Sequence, residues 1–174
     1  MRFVDPGVGT VNEEYLLAAL SHHGELVASG REVCYRKEFG REDERFIGDV
    51  FGLFLRGGVL SLVGVEVKDW QAAVTPKLAR SYLETYGRSC DFVYLAARRF
   101  LPGVQAVRTL GLVALDGPKV TKRAERLAPE AGAWRYVISQ IQAEDTVKAL
   151  HPRQRRLIEG GVPLPEAPER EREA

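Results

Sequence analysis

Glu66-Val67-Lys68 closes an apolar run, and Asp49 lies upstream of it across a Gly57-Gly58 break. An acid, any residue and a lysine at the end of a strand can hold a divalent cation and stabilise negative charge as it develops. A second acid beside them completes a set that can hydrolyse a phosphodiester. The triplet alone carries little weight. With 24 acids and 6 lysines in 174 residues, roughly 0.8 acid-x-lysine triplets arise by chance, and the chain has one.

The elements around the triplet carry more. Phe46–Leu55 and Val59–Val67 are apolar, rich in β-branched and aromatic residues, and separated by a glycine pair, which is a strong hairpin signal. With Gly57 and Gly58 as a two-residue loop, Arg56 pairs with Val59. Counting outward from that pair sets Asp49 directly opposite Glu66, with their Cβ atoms about 4.5–5.5 Å apart on one face. Lys68 shares that face, two residues further on. Like charges in such a pair destabilise a sheet, so a cation, the lysine or both must offset them. Phe51, Leu53, Leu55, Leu60 and Leu62 fall on the same face. Val50, Phe54, Val59, Val63, Val65 and Val67 fall on the other. A sheet apolar on both sides is covered on both sides, generally by helices. An Asp–Glu–Lys cluster at the end of such a sheet is costly unless it has a function.

Thr10-Val-Asn-Glu13 matches a capping box and predicts a helix from about Val11 to His22, with Glu13 occupied in capping. Glu14 precedes Leu17 and Ala18 by one turn and is expected to face inward with them. His22 and His23 read as C-terminal capping groups. Arg31–Phe39 reads as a strand and Gly40–Glu44 as a charged turn. Thr75-Pro76 starts a helix that runs to about Tyr86 and stops at Gly87. Leu78, Tyr82 and Leu83 form its inner stripe, leaving Lys77, Arg80 and Arg88 to solvent or phosphate. Trp70 reads as a packing residue. Phe92–Ala97 and Leu110–Leu115 are further strands, and Ala133–Leu150 is a helix. The order predicts a mixed α/β fold in one domain over residues 1–162, followed by a flexible tail over 163–174, PLPEAPEREREA.

Hydrophobic content of 45% and charged content of 28% are those of a soluble globular protein. Arginine outnumbers lysine 19 to 6 and Asn12 is the sole asparagine. Either a thermophilic origin or a GC-rich genome accounts for that bias. No apolar run reaches the roughly 18 residues of a membrane span, and MRFVDPGVGT lacks the core of a signal peptide. Cys34 and Cys90 are too few for a disulfide framework or a zinc cage, and read as buried thiols in a reducing compartment. His22, His23 and His151 lack zinc-site spacing. The cytoplasm is the expected location, with no membrane partner. A net charge of +1 does not announce a nucleic-acid binder. Residues 98–126, however, hold seven basic groups against two acids, enough for a phosphate-facing patch or a solvated surface.

This order, with these residues in these places, resembles the PD-(D/E)XK nuclease superfamily, the restriction-endonuclease-like fold. Its core is α-β-β-β-α-β, a mixed sheet flanked by helices. The superfamily carries an acid on the second core strand, an acid-x-lysine on the third and often a glutamate on the first helix. These positions fall on Asp49, on Glu66 with Lys68, and on Glu14. Gly48–Ala97 is most similar to the MmcB-like DNA-repair branch and the archaeal Holliday-junction resolvases. Those also pass from the aspartate strand to EVK, then a helix, then CD and an apolar strand, here Cys90-Asp91-Phe92-Val93-Tyr94. The Leu110–Gly117 strand and the basic Lys119–Arg126 stretch fit the MmcB-like layout. The likeness covers about residues 10–126, Gly48 stands where the proline often is, and the C-terminal third has no counterpart.

The resemblance implies a metal-dependent nuclease that cuts DNA in repair or recombination. Asp49, Glu66 and the Val67 backbone carbonyl would hold Mg²⁺ or Mn²⁺. Lys68 would orient the attacking water or stabilise the transition state. Glu14 would hold a second metal or a metal-bound water. Gln71, Lys77, Arg80, Lys119, Lys122 and Arg123 would contact the nucleic acid. Cutting both strands needs two sites, which makes a homodimer possible. Two other classes compete: a nuclease-fold protein that binds DNA or a partner without cutting, and a plain α/β interaction domain whose acids form surface salt bridges.

Overall fold

The structure, a computed structural model, describes residues 13–37 and 45–142. The Thr10 cap, the charged turn at 40–44, the Cys34 side chain, the expected end of the last helix and the tail lie outside the described residues. Helix α1 (Glu13–Ala19) passes through a 3-10 turn (Ser21–His23) into β1 (Glu25–Lys37). Then come β2 (Arg45–Arg56), β3 (Val59–Lys68), α2 (Pro76–Gly87), β4 (Phe92–Ala97), β5 (Gly111–Ala114), β6 (Lys119–Lys122) and α3 (Ala131–Gln142). The expected order of helix, three strands, helix and strand is present in a mixed α/β architecture. The six strands lie in one sheet in chain order. β1, β2 and β3 are antiparallel, β3, β4 and β5 are parallel, and β6 returns antiparallel. Two details differ from expectation. β1 starts at Glu25 rather than Arg31, and Lys119–Lys122, too short to read as a strand, pairs with β5.

The hairpin follows its loop chemistry. Gly57 and Gly58 have φ of 58° and 81°, the left-handed pair that a two-residue turn between twisted strands requires. Arg56 therefore pairs with Val59, and the ladder runs in that register to Val50 opposite Val65. The paired ladder ends there, one step short of Asp49 and Glu66. Helix α2 also starts as its sequence dictates: Thr75 Oγ1 accepts the Leu78 N–H at 3.2 Å, with proline in the first turn.

Both faces of the sheet are covered. On one, Phe51, Leu53, Leu60, Leu62, Val93 and Leu95 pack against Ala79 and Tyr86 of α2 and Trp134, Val137 and Ile138 of α3. On the other, Val50, Phe54, Val63, Val65 and Tyr94 pack against Leu16 and Leu17 of α1 and the adjoining Leu20. No helix among the described residues is long and apolar enough to cross a membrane.

Two features lock α2 and α3 onto their face. The Tyr86 ring lies over glycines of two neighbouring strands. A Cβ at Gly64 would stand 2.6 Å from Tyr86 Cδ1 and 2.8 Å from Cys90 Sγ, and one at Gly48 would stand 3.1 Å from Tyr86 Cε1. Gly64→Ala is therefore expected to cost about 1–3 kcal/mol through overpacking, read by chemical denaturation. An unchanged midpoint would mean that α2 can lift away freely. The second lock is Asp91, which is fully buried. Its Oδ2 accepts the Leu62 N–H at 2.7 Å and the Trp134 indole N–H at 2.8 Å, and Oδ1 lies 3.5 Å from Arg126 Nη1. Its own N–H donates to the Leu62 carbonyl at 2.8 Å, and its carbonyl accepts from Leu127 at 2.7 Å. One carboxylate thus ties β3, the start of β4, the segment before α3, and α3 itself.

Candidate active site

The hairpin delivers Asp49 and Glu66 to the face covered by α2, where β3 and β4 end. Crevices beyond the carboxyl ends of parallel strands are the usual ligand sites of α/β sheets. Asp49 Oδ2 reaches across to β3 and accepts the Val67 N–H at 2.8 Å. Glu66 is only 6% exposed. Its Oε1 meets Lys68 Nζ at 2.5 Å, and its Oε2 accepts the Tyr86 hydroxyl. The same hydroxyl oxygen accepts the Asp49 N–H at 3.1 Å. Lys68 Nζ lies 4.5 Å from the Tyr82 ring centroid and 5.1 Å from that of Trp70, close enough for cation–π attraction. A buried glutamate with these partners is not one half of an ordinary surface salt bridge.

Burial, and then the charge of Asp49, raise the Glu66 pKa above its ordinary value; the bonds from Lys68 and Tyr86 pull the other way without cancelling them. Burial opposes the charge on Lys68, but its bonds to Glu66 and Tyr82 prevail and its pKa is raised. Burial and the neighbouring Glu66 push the Tyr86 hydroxyl far up, so it remains a proton donor. A carboxyl whose folded pKa is raised favours the folded state when protonated. Its contribution is fully present below its unfolded pKa and is lost as pH rises through the folded value. Wild-type stability relative to Glu66→Gln should therefore fall as pH rises from about 4.5 through the raised Glu66 pKa, since the amide does not titrate. Paired thermal melts across that window check this; a flat difference would remove the carboxylate repulsion.

The structure brings Asp49, Glu66, Val67 and Lys68 together, but not Glu14. Glu14 is exposed on α1 rather than inward, and α1 packs on the opposite face of the sheet. The buried positions of that short helix are Leu16 and Leu17, so Glu14 falls outside the inner stripe. Glu13 pairs with Arg31 at 3.2 Å. Gln71 is exposed just past β3, and its backbone carbonyl accepts from Arg99 at 2.8 Å. Lys77 and Arg80 are exposed on α2, whose inner side carries Ala79 and Tyr86. Lys119, Lys122 and Arg123 lie elsewhere, along β6 and beyond it, and the Lys122 ammonium donates to the Val107 carbonyl at 2.6 Å. The residues expected to contact the nucleic acid thus divide into two regions. His22 bonds the Ala19 backbone at the end of α1, as a C-terminal cap does, whereas His23 shows no such bond; both rings also reach Tyr94 on β4. Trp70 is 45% exposed beside Lys68 rather than packed in the core.

Tyr82 and Tyr86 are the site residues that sequence reasoning missed. Their four-residue spacing on the inner side of the helix following the acid-x-lysine strand is the signal that could have found them. Arg98 also borders this end of the sheet, pairing with Asp69 at 2.7 Å and lying 3.6 Å from Asp116.

Among the described residues, no group of three or more histidine, cysteine, aspartate or glutamate side chains converges on one point. The donor set at this end is therefore two carboxylates. That suits Mg²⁺ or Mn²⁺, hard ions commonly held by one or two carboxylates, waters and substrate phosphate. Burial first, and then the charge of Asp49, raise the Glu66 pKa, so a bound cation would relieve the crowding of the two carboxylates. The residues present fit a divalent cation.

No protein-family model matches the chain, and no curated protein matches it. Among solved structures it is similar to the SPO1766 protein of unknown function from Silicibacter pomeroyi. The two share 19% identity with a TM-score of 0.53, over 80% of this chain and 86% of that one. At that identity the likeness shows a shared fold.

Proposed function

We propose that the chain is a metal-dependent nuclease of the PD-(D/E)XK kind that hydrolyses phosphodiester bonds in DNA, in repair or recombination. The observation that carries this proposal is the cross-strand Asp49–Glu66 pair with Lys68 on the same face, at the carboxyl ends of parallel strands. Asp49 and Glu66 would hold Mg²⁺ or Mn²⁺, which would supply Lewis acidity toward the scissile phosphate. Tyr86 fixes one Glu66 oxygen and the Asp49 backbone, and so sets the spacing between the two acids. Lys68 offers an ammonium beside them to stabilise charge developing on phosphate. The rings of Tyr82 and Trp70 keep that ammonium at the site when it leaves Glu66. Gln71, Lys77 and Arg80 would meet the strand from this side. The protein would act in the cytoplasm, and a homodimer would supply the second site for cutting both strands.

One observation favours a second reading, a nuclease-fold protein that binds DNA or a partner without cutting. Both Glu66 oxygens are already engaged, by Lys68 and Tyr86. Titration with Mn²⁺, followed by cleavage assays on single-stranded, duplex, flap and four-way-junction DNA, separates the two. Heat that disappears in Asp49→Asn, together with cleavage of any one substrate, is the expected result. Absence of Asp49-dependent heat removes the metal site, and binding without cleavage on every substrate selects the second reading.

A further inference from the structure

A second polar constellation lies on the α1 face of the sheet, at the hairpin-turn end. From the rise per residue of β3 it is roughly 20 Å along the strand from Glu66. It is a cleft of about 390 Å³ whose lining includes His22, His23, Arg56, Phe92, Arg123 and Arg126. None of the residues lining it is acidic. It adjoins a groove along β6 that shares His22 and Arg123 and includes Lys119.

Two of its cations are pinned by the fold. Arg56 donates to the His22 carbonyl at 3.0 Å. Arg126 donates to Ser61 Oγ at 3.1 Å, lies 4.9 Å from the Phe92 ring centroid and reaches Asp91 beneath the floor. Of the three guanidinium groups lining the cleft, only that of Arg126 meets the buried Asp91 carboxylate. The imidazoles are pinned as well. His22 Nε2 and His23 Nε2 sit 3.1 and 2.7 Å from the Tyr94 hydroxyl, which also accepts the Ala124 N–H at 3.2 Å. Tyr94 has one proton to give, so one ring accepts it and the other donates back to the oxygen. That pattern requires the accepting ring to be neutral. Burial first, then the positive neighbours His22, Arg126, Arg123 and Arg56, bring the His23 pKa down to about 4. Burial and Arg123 lower that of His22. The cleft thus gathers positive charge beside two histidines whose pKa values burial, and then that charge, lower. Such a site gains most from an oxyanion, to which guanidinium groups bond in a planar fork.

We infer that this cleft binds a phosphate dianion, with Arg56, Arg123 and Arg126 converging on its oxygens and the His22–Tyr94–His23 bridge as its polar wall. Three guanidinium groups and no acid line the cleft, which suits an anionic ligand. Either a free phosphate or the terminal phosphate of a nucleic-acid strand supplies that chemistry. The site is independent of the carboxylate cluster, which lies on the other face.

The test is calorimetric titration of the full chain with inorganic phosphate, repeated with matched oligonucleotides that carry or lack a 5′-phosphate. Imidazole resonances of His22 and His23 are followed in parallel. Wild type should bind phosphate and shift both imidazole signals. Arg56→Ala with Arg123→Ala, both exposed positions, should weaken binding at least tenfold, with circular dichroism and melting unchanged. Glu66→Gln should leave the affinity intact even if the nuclease proposal fails. Binding of free phosphate with no preference between the oligonucleotides identifies a small ligand and supports the site. Preference for the phosphorylated strand, displaced by inorganic phosphate, identifies a strand end and also supports it. No binding at millimolar phosphate, binding indifferent to the arginine changes, or binding lost only in Glu66→Gln overturns it.

Discussion

Lys68→Met should lower metal-dependent cleavage by about 10²–10³-fold, the usual cost of removing one group that stabilises transition-state charge, while Mn²⁺ binding persists. The methionine keeps the length and apolar character of the lysine stem between Tyr82 and Trp70 and deletes only the ammonium. Glu66→Gln should behave differently and lose both Mn²⁺ heat and cleavage, because it removes a ligand charge. Tyr86→Phe is expected to fall between them, at about 10–100-fold in metal affinity, as for other groups that orient a ligand through a hydrogen bond. This graded series is what a metal site predicts. If Lys68→Met cleaves as well as wild type in single-turnover assays, the ammonium is only the counter-ion of Glu66, and the catalytic assignment goes with it.

The largest loss of stability should come from Asp91→Ala, at about 3–5 kcal/mol. The change strips the Leu62 N–H and the Trp134 indole N–H of their acceptor inside the core, and takes the countercharge from Arg126. Groups orphaned in this way bear their full desolvation cost. Asp91→Asn separates the parts. Its carbonyl oxygen can take the Oδ2 position and satisfy both donors, while its NH2 group faces Arg126 in place of the accepting Oδ1. It should therefore cost clearly less than alanine. Urea denaturation followed by Trp134 fluorescence measures both. An alanine variant within about 1 kcal/mol of wild type would contradict the burial of this carboxylate as described. The Cys90-Asp91 pair of the sequence resemblance thus has a structural role in this chain. Cys90 is a buried thiol whose pKa burial and Asp91 push up, so it is poorly placed to react.

Where local chemistry determines geometry, the sequence was readable. Two glycines that can both take positive φ determine the loop, the loop determines the register, and the register determines which acid faces which. Thr75 and Pro76 mark the start of α2 for equally local reasons. The two faces of the hairpin followed from alternation alone. What escaped is what depends on distant partners. Glu14 read as inward because helical periodicity cannot say on which side of a sheet a helix will pack, nor which stripe of a seven-residue helix wins the core. His22 does cap α1 at Ala19, but the partner it shares with His23, Tyr94, lies about seventy residues away and left no local signal. β6 was missed because four residues of lysine, valine, threonine and lysine carry too little pattern to register as a strand. Tyr86 read as the last residue of a helix, and only its neighbours across the sheet reveal its hydroxyl as part of the site.

The ring of Tyr86 sits against bare main chain at Gly64, and toward Gly48 it stacks on the ring of Phe51. Its hydroxyl then touches one strand at Asp49 and the next at Glu66. The distance between the two carboxylates is therefore gauged against the backbone itself. Repacking elsewhere in the core, which shifts side chains by tenths of an ångström, has little leverage on that gauge. The positional precision of the pair is inherited from the sheet, and α2 serves it as a fixed rule.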